Sequence, residues 1–332
     1  MIKKLKYLFC LLLFIGNVLL LNAQEMMHLQ SVVKQEFINP AYNSFKDYSS
    51  INLISRLQWV NLPHNPEVYG VNVFVPFRVN RLGMNVTLMR ENIGLRKVSS
   101  ADVSLSTNIR LNKQSFLAFG YGIGLKSNIY RTDEIISYDD GSYLFGNENW
   151  NTHKFTTKFG AFYMDEYMFA GFSGNMLVDR KWNDHLVLCP SWDFIIGAMY
   201  KINRNLLFRP DFVVKYYRTE VIEMAGGVED ASYVPPVFDP AINFFIHNRI
   251  WAGISYRINM AATISLSVKA NDNLRFGYTY EYGIGEGVNQ FSSHGFTMTF
   301  DFNQKVSLYN HQRNARMRHN IGDVVNRNYL YR

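Results

Sequence analysis

The chain has 332 residues, of which 48% are hydrophobic, 15% aromatic and only 18% charged, with a formal net charge of +7. Two cysteines exclude a disulfide-stapled scaffold and a four-cysteine metal site. The basic balance does not point to a nucleic-acid binder. The positive charge is concentrated at the two ends, and no basic stripe with base-stacking spacing runs through the body.

Residues 1–23 have the organisation of a secretory signal peptide. Lys3, Lys4 and Lys6 form the positive end. Tyr7 to Leu21 form the apolar stretch, and Leu21-Asn22-Ala23 precedes the expected cleavage before Gln24. The stretch is short for a membrane helix. Cys10 lies inside it rather than after a cleavage site, so no lipoprotein is expected. Cys189 is then the one cysteine left, and an intrachain disulfide is impossible. Losing three lysines leaves 31 basic against 27 acidic residues, a net +4.

Residues 24–48 are too irregular for a strand and carry the turn-like Asn39-Pro40-Ala41-Tyr42. This segment is expected in the periplasm or inside a barrel lumen. From residue 49 to 302 the chain alternates apolar and polar side chains, the mark of a two-faced strand. Tyr69, Val71, Val73, Val75 and Phe77 share one face. Phe119, Tyr121, Ile123 and Leu125 alternate with Gly120, Gly122 and Gly124. Leu274, Phe276, Tyr278, Tyr280 and Tyr282 oppose Arg275, Gly277, Thr279 and Glu281. The large apolar set is assigned to lipid and the small or polar set to the lumen. The predicted strands are 50–60, 67–77, 81–90, 99–110, 115–127, 154–163, 167–177, 191–202, 205–217, 240–246, 249–257, 260–270, 273–283 and 293–302, about fourteen in all.

The gaps alternate in length. Residues 78–80, 111–114, 164–166, 203–204, 247–248 and 271–272 are tight turns. Residues 61–66, 91–98, 127–153, 178–190, 218–239 and 283–292 are longer, and 257–259 alone breaks the parity. An outer-membrane barrel has this rhythm, with short periplasmic turns and long extracellular loops. The predicted fold is all-β: a transmembrane antiparallel up-and-down β-barrel over 49–302. Residues 303–332 follow as a basic periplasmic tail, with Lys305, Arg313, Arg316, Arg318, Arg327 and Arg332 against Asp323 alone. It either docks on a periplasmic partner or extends into solvent.

Signals for chemistry are thin. His64, His153, His185, His247 and His294 have no metal-ligand spacing and read as loop or turn residues. Asp139-Asp140-Gly141 lacks the further oxygen ligands of a calcium loop. Gly283-Ile284-Gly285-Glu286-Gly287 precedes no helix that could hold a phosphate. Ser292, Ser293 and His294 are adjacent, but a hydrolytic triad is a spatial arrangement and adjacency is no support for one. No catalytic, metal or cofactor-binding residue is therefore assigned, no cofactor is expected, and the chain is read as a non-enzyme. Gly120, Gly122, Gly124, Gly160, Gly171, Gly197, Gly253 and Gly277 fall on the inner face, where they either make room for an inserted segment or relieve wall curvature. Tyr130, Tyr138, Tyr143, Phe145, Trp150, Tyr233 and Phe238 enrich two long loops, either as a partner surface or as a cap.

The order of short motifs resembles the PorP/SprF family of outer-membrane proteins of the type IX secretion and gliding machinery. The matching pieces include Phe37-Ile38-Asn39-Pro40-Ala41-Tyr42, Arg56-Leu57-Gln58-Trp59, Arg90-Glu91-Asn92-Ile93-Gly94 and Leu206-Leu207-Phe208-Arg209-Pro210. Ile250-Trp251-Ala252-Gly253 and Asn273-Leu274-Arg275-Phe276-Gly277-Tyr278 continue the series. Arg90 and Gly295 depart from the family, which usually has acidic residues there. The resemblance implies an accessory barrel in the bacterial outer membrane that supports secretion or surface attachment of large type IX cargo such as adhesins. Its partners would be outer-membrane lipid, that cargo and periplasmic parts of the machine. A diffusion channel or hydrophobic-solute transporter is the rival expectation, because a lumen lined with Ser, Thr, Asn and charged residues permits it.

Overall fold

The computed structural model describes residues 35–302, apart from 47, 61, 78–81, 113, 132–149, 181–185, 204, 219–221, 225–226, 230–234, 248 and 285–290. The expected signal peptide and the tail lie outside the described residues.

A short helix α1 (Gln35–Ile38) and a 3-10 turn η1 (Tyr42–Phe45) precede the sheet. The first strands are β1 (Ser49–Leu57), β2 (Glu67–Pro76), β3 (Leu82–Ile93), β4 (Arg96–Arg110) and β5 (Phe116–Tyr130). Next come β6 (Trp150–Met164), β7 (Met168–Arg180), β8 (Leu186–Ala198), β9 (Tyr200–Asn203) and β10 (Leu206–Tyr217). A small hairpin, β11 (Ile222–Met224) and β12 (Gly227–Glu229), sits in the following loop. The last five are β13 (Val237–Ile246), β14 (Ile250–Arg257), β15 (Ala261–Lys269), β16 (Leu274–Gly283) and β17 (Ser292–Phe302). Each barrel strand pairs antiparallel with its neighbours in chain order, and β17 returns to β1 with Ile51 opposite Phe300. The sheet closes as a barrel of fourteen strands, with β9 continuing β8 beyond a break at Met199.

Burial is inverted relative to a water-soluble protein. Leu125 is 63% and Ile254 64% exposed on the outside, whereas Asn52 and Asn72 are fully buried inside. Leaving an apolar side chain in water forgoes about 1.5–3 kcal/mol, and a domain is stable by only about 5–15 kcal/mol in total. So many outward Leu, Ile, Phe and Tyr residues require hydrocarbon around the wall, and closure pairs the strand backbones that hydrocarbon would leave unsatisfied. No helix among the described residues is long and apolar enough to cross a membrane.

The short turns are built by side chains. Asn112 Oδ1 accepts from Gln114 N and Ser115 N, Asp165 Oδ1 from Tyr167 N and Met168 N, and Asn271 Oδ1 from Asn273 N and Leu274 N. Asn and Asp favour turns because their side-chain oxygen mimics a backbone carbonyl.

Several predicted boundaries move. The expected loop 91–98 is a two-residue turn, Gly94-Leu95, between extended β3 and β4, and Gly94 takes a positive φ of 57° that glycine permits. Strands β5 and β6 likewise run on to Tyr130 and from Trp150. The expected strand 191–202 starts earlier, at Leu186, and is broken at Met199. The strand expected at 240–246 begins at Val237, with Pro240 inside it opposite Phe212.

Candidate functional site

The lumen holds the segment 35–46. It descends through the barrel from mid-wall to the short-turn rim. Phe37 packs with Ile54, Val68 and Met89 of β1–β3. Ala41 and Tyr42 pack with Ala118, Phe162 and Phe169 of β5–β7 in a cluster that continues to Val213 and Phe245 on β10 and β13. Tyr42 and Phe45 both meet the Phe162 ring edge-on, at 5.3 and 5.8 Å. The segment thus bridges wall strands from β1 to β7, along one half of the barrel.

Polar contacts fix its position. Asn39 Nδ2 donates to the carbonyls of Ala161 and Phe172, 3.2 Å each, while its Oδ1 accepts from Ala41 N at 2.9 Å. Asn43 Nδ2 donates to Asn85 Oδ1 at 3.0 Å, and Asn108 Nδ2 to the Ser44 carbonyl. Asn72 Nδ2 donates to the Glu36 carbonyl at 3.2 Å. Lys46 Nζ bridges Glu36 Oε1 at 3.4 Å and Ser50 Oγ at 3.1 Å. An unpaired backbone group buried here would cost about 1–3 kcal/mol, so the contacts belong together.

Two of the inner-face glycines are there for this segment. A Cβ on Gly120 would overlap the Pro40-Ala41 peptide, and one on Gly160 would overlap the Asn39 side chain. The others answer to the wall itself: Gly124 is covered by Asp102, Gly171 by Phe162, Gly197 by Phe169, Gly253 by Asn243 and Gly277 by Thr297. The reading that glycines make room for an inserted segment thus applies at Gly120 and Gly160. Gly70, which the sequence did not single out, makes room for Ile54 and Phe37.

Ionic groups line the rest of the lumen. Glu281 on β16 takes Arg56 Nη2 of β1 at 2.7 Å, Arg257 Nη2 of β14 at 3.3 Å and Thr263 Oγ1 of β15 at 3.4 Å. Lys158 pairs with Asp102 at 2.7 Å. Arg209 is 1% exposed, donates through Nε to Asp211 at 3.2 Å, and lies over the rings of Phe169 and Trp251 at 4.5 and 5.3 Å. The sequence placed charges such as Glu281 on the inner face but not their pairing. The signal that they pair was available: ionisable residues at inward positions of membrane-crossing strands, where charge is rare without a partner.

The residues weighed for chemistry stay dispersed. His64 and His247 occupy turns at positive φ, and His153 is exposed on β6. His294 Nδ1 meets the Tyr278 hydroxyl at 2.7 Å, and Ser292 Oγ lies 3.5 Å from Nε2 on the outer face, whereas Ser293 turns inward to Trp59 N. No three His, Cys, Asp or Glu residues among those described could share a metal. His185, the Asp139-Asp140-Gly141 stretch and Gly285–Gly287 lie outside the described residues, as do Tyr138, Tyr143, Phe145 and Tyr233. Phe238 packs on Phe212 at 6.1 Å.

A family model described as type IX secretion system membrane protein PorP/SprF matches residues 23–302. The chain belongs to the PorP/SprF family. That match runs through the luminal segment as well as the wall, and a PorP/SprF barrel with a lipid-facing exterior sits in the outer membrane. No curated protein matches. Among solved structures, the CymD monoaromatic hydrocarbon channel aligns at 11% identity and a TM-score of 0.49, over 86% of this chain and 95% of that one. A FadL homologue of Pseudomonas aeruginosa aligns at 10% and 0.48, over 81% and 93%. The P. putida toluene transporter TodX aligns at 9% and 0.47, over 81% and 93%.

Proposed function

We propose that this PorP/SprF barrel is a non-enzymatic accessory of the type IX secretion machinery, supporting secretion or surface attachment of large cargo such as adhesins. The observation that carries this reading is the luminal segment 35–46, fastened inside the barrel to strands β1–β7. A filled barrel works at its rims. The long loops face cargo at the cell surface, and the short turns and basic tail face periplasmic components. A diffusion channel needs a continuous path, and the segment occupies the lumen where that path would run.

Deletion of the gene tests the reading. One or more type IX cargo proteins should disappear from the cell surface while the outer membrane stays intact to large antibiotics. Surface cargo at wild-type levels in the deletion would overturn it.

A further inference from the structure

On four neighbouring strands the outward apolar run breaks off at the same cross-strand row, with Ile129 on β5 the one apolar residue in the two rows beyond it apart from Tyr69. Leu88, Ala101, Leu125 and Phe155 stand opposite one another in register. The next outward row toward the long loops is Tyr69, Arg90, Ser99, Ser127 and His153, and the row after it is Glu67, Asn92, Lys97, Ile129 and Asn151, polar except for Ile129. The wall of β2–β6 therefore projects beyond the lipid-covered band and changes from hydrocarbon to hydroxyl and cation within one residue pair.

Arg90 and Lys97 are diagonal neighbours there. Arg90 opposes Ser99, two positions along the same face from Lys97. Such residues stand about 7–8 Å apart, so two long side chains can reach one anion. Neither side chain has a hydrogen bond or ion pair among the described residues. The nearby carboxylate of Glu67 is taken by Tyr69 Oη and Asn92 Nδ2, both at 3.4 Å. Arg96 faces the lumen, where Nη2 donates to Asn128 Oδ1.

We propose that Arg90 and Lys97, with the hydroxyls of Ser99 and Ser127 beside them, bind the phosphate of a phosphorylated lipid in the outer leaflet. The occupant follows from continuity: acyl chains already cover Leu88 and Leu125, and a headgroup phosphate on such a lipid meets the first polar row. Guanidinium and ammonium groups favour phosphate oxygens through charge-assisted hydrogen bonds. The ring of Tyr69, 42% exposed, marks the membrane edge, where tyrosine is enriched.

Native mass spectrometry of the full-length protein in detergent tests this with three probes: lipid A carrying phosphate, the same lipid dephosphorylated, and inorganic phosphate. The phosphorylated lipid should be retained over the dephosphorylated one. The double variant Arg90→Ala/Lys97→Ala should lower that retention about tenfold, the loss expected for charged hydrogen bonds, with unchanged heat-modifiable mobility on gels as the check on folding. Glu67→Gln should raise retention. Equal retention of both lipids overturns the proposal. So does a folded double variant that binds the phosphorylated lipid as before, or inorganic phosphate that competes at lipid concentrations. A double variant that keeps the lipid but loses surface cargo would assign the face to a protein and also overturn it.

Discussion

At the scale of single residues, Asn39 and Gly160 form a matched pair. The asparagine reaches 122 and 133 positions along the chain to two wall carbonyls, and the missing Cβ of Gly160 is the space it occupies. Gly160→Val should expel Asn39 and make the luminal segment accessible to protease, read as a new cleavage between residues 35 and 46. Asn39→Ala loses the same bonds without the clash, worth about 1–3 kcal/mol for the orphaned groups, so it should give partial cleavage. Glu281 is the other residue with large leverage, because its single carboxylate pairs with both Arg56 and Arg257 in the lumen. Removing one partner of a buried charge group costs about 3–5 kcal/mol. Glu281→Ala should lower the urea midpoint of the folded barrel, while Glu281→Asp should recover part of the loss.

At the scale of elements, the segment 35–46 and the wall behave as one body. Asn43 and Asn85 touch at 3.0 Å, so Asn43→Cys with Asn85→Cys, in a Cys189→Ser background, should be joined by a short thiol-reactive cross-linker that spans the gap a direct disulfide would not. Failure of the pair to cross-link in membranes would contradict the seating. Strand identity was legible in the sequence, because lipid outside and polar lumen inside impose period two over ten residues at a time. Strand ends were not. Beyond Leu88 and Leu125 the outward positions turn mostly polar, the alternation fades, and 91–98 reads as a loop although it folds as extended β3 and β4.

At the scale of the whole molecule, closure and orientation followed from the parity of gap lengths, and the fourteen-strand wall agrees with it. The inner-face glycines hinted at an inserted segment without saying which of them served it, since contacts such as Asn39 to Ala161 leave no local pattern. The lumen's charged residues could be placed on inward positions from the alternation, but which of them pair, such as Glu281 with Arg56, could not. The proposed role assigns work to the rims, so the barrel should be electrically silent. The most direct measurement is the conductance of the purified full-length protein in planar lipid bilayers. The account predicts no stepwise current above the bare membrane, with steps appearing only when residues 35–46 are deleted. Stable conducting steps from the intact, correctly folded protein would contradict it and favour a channel.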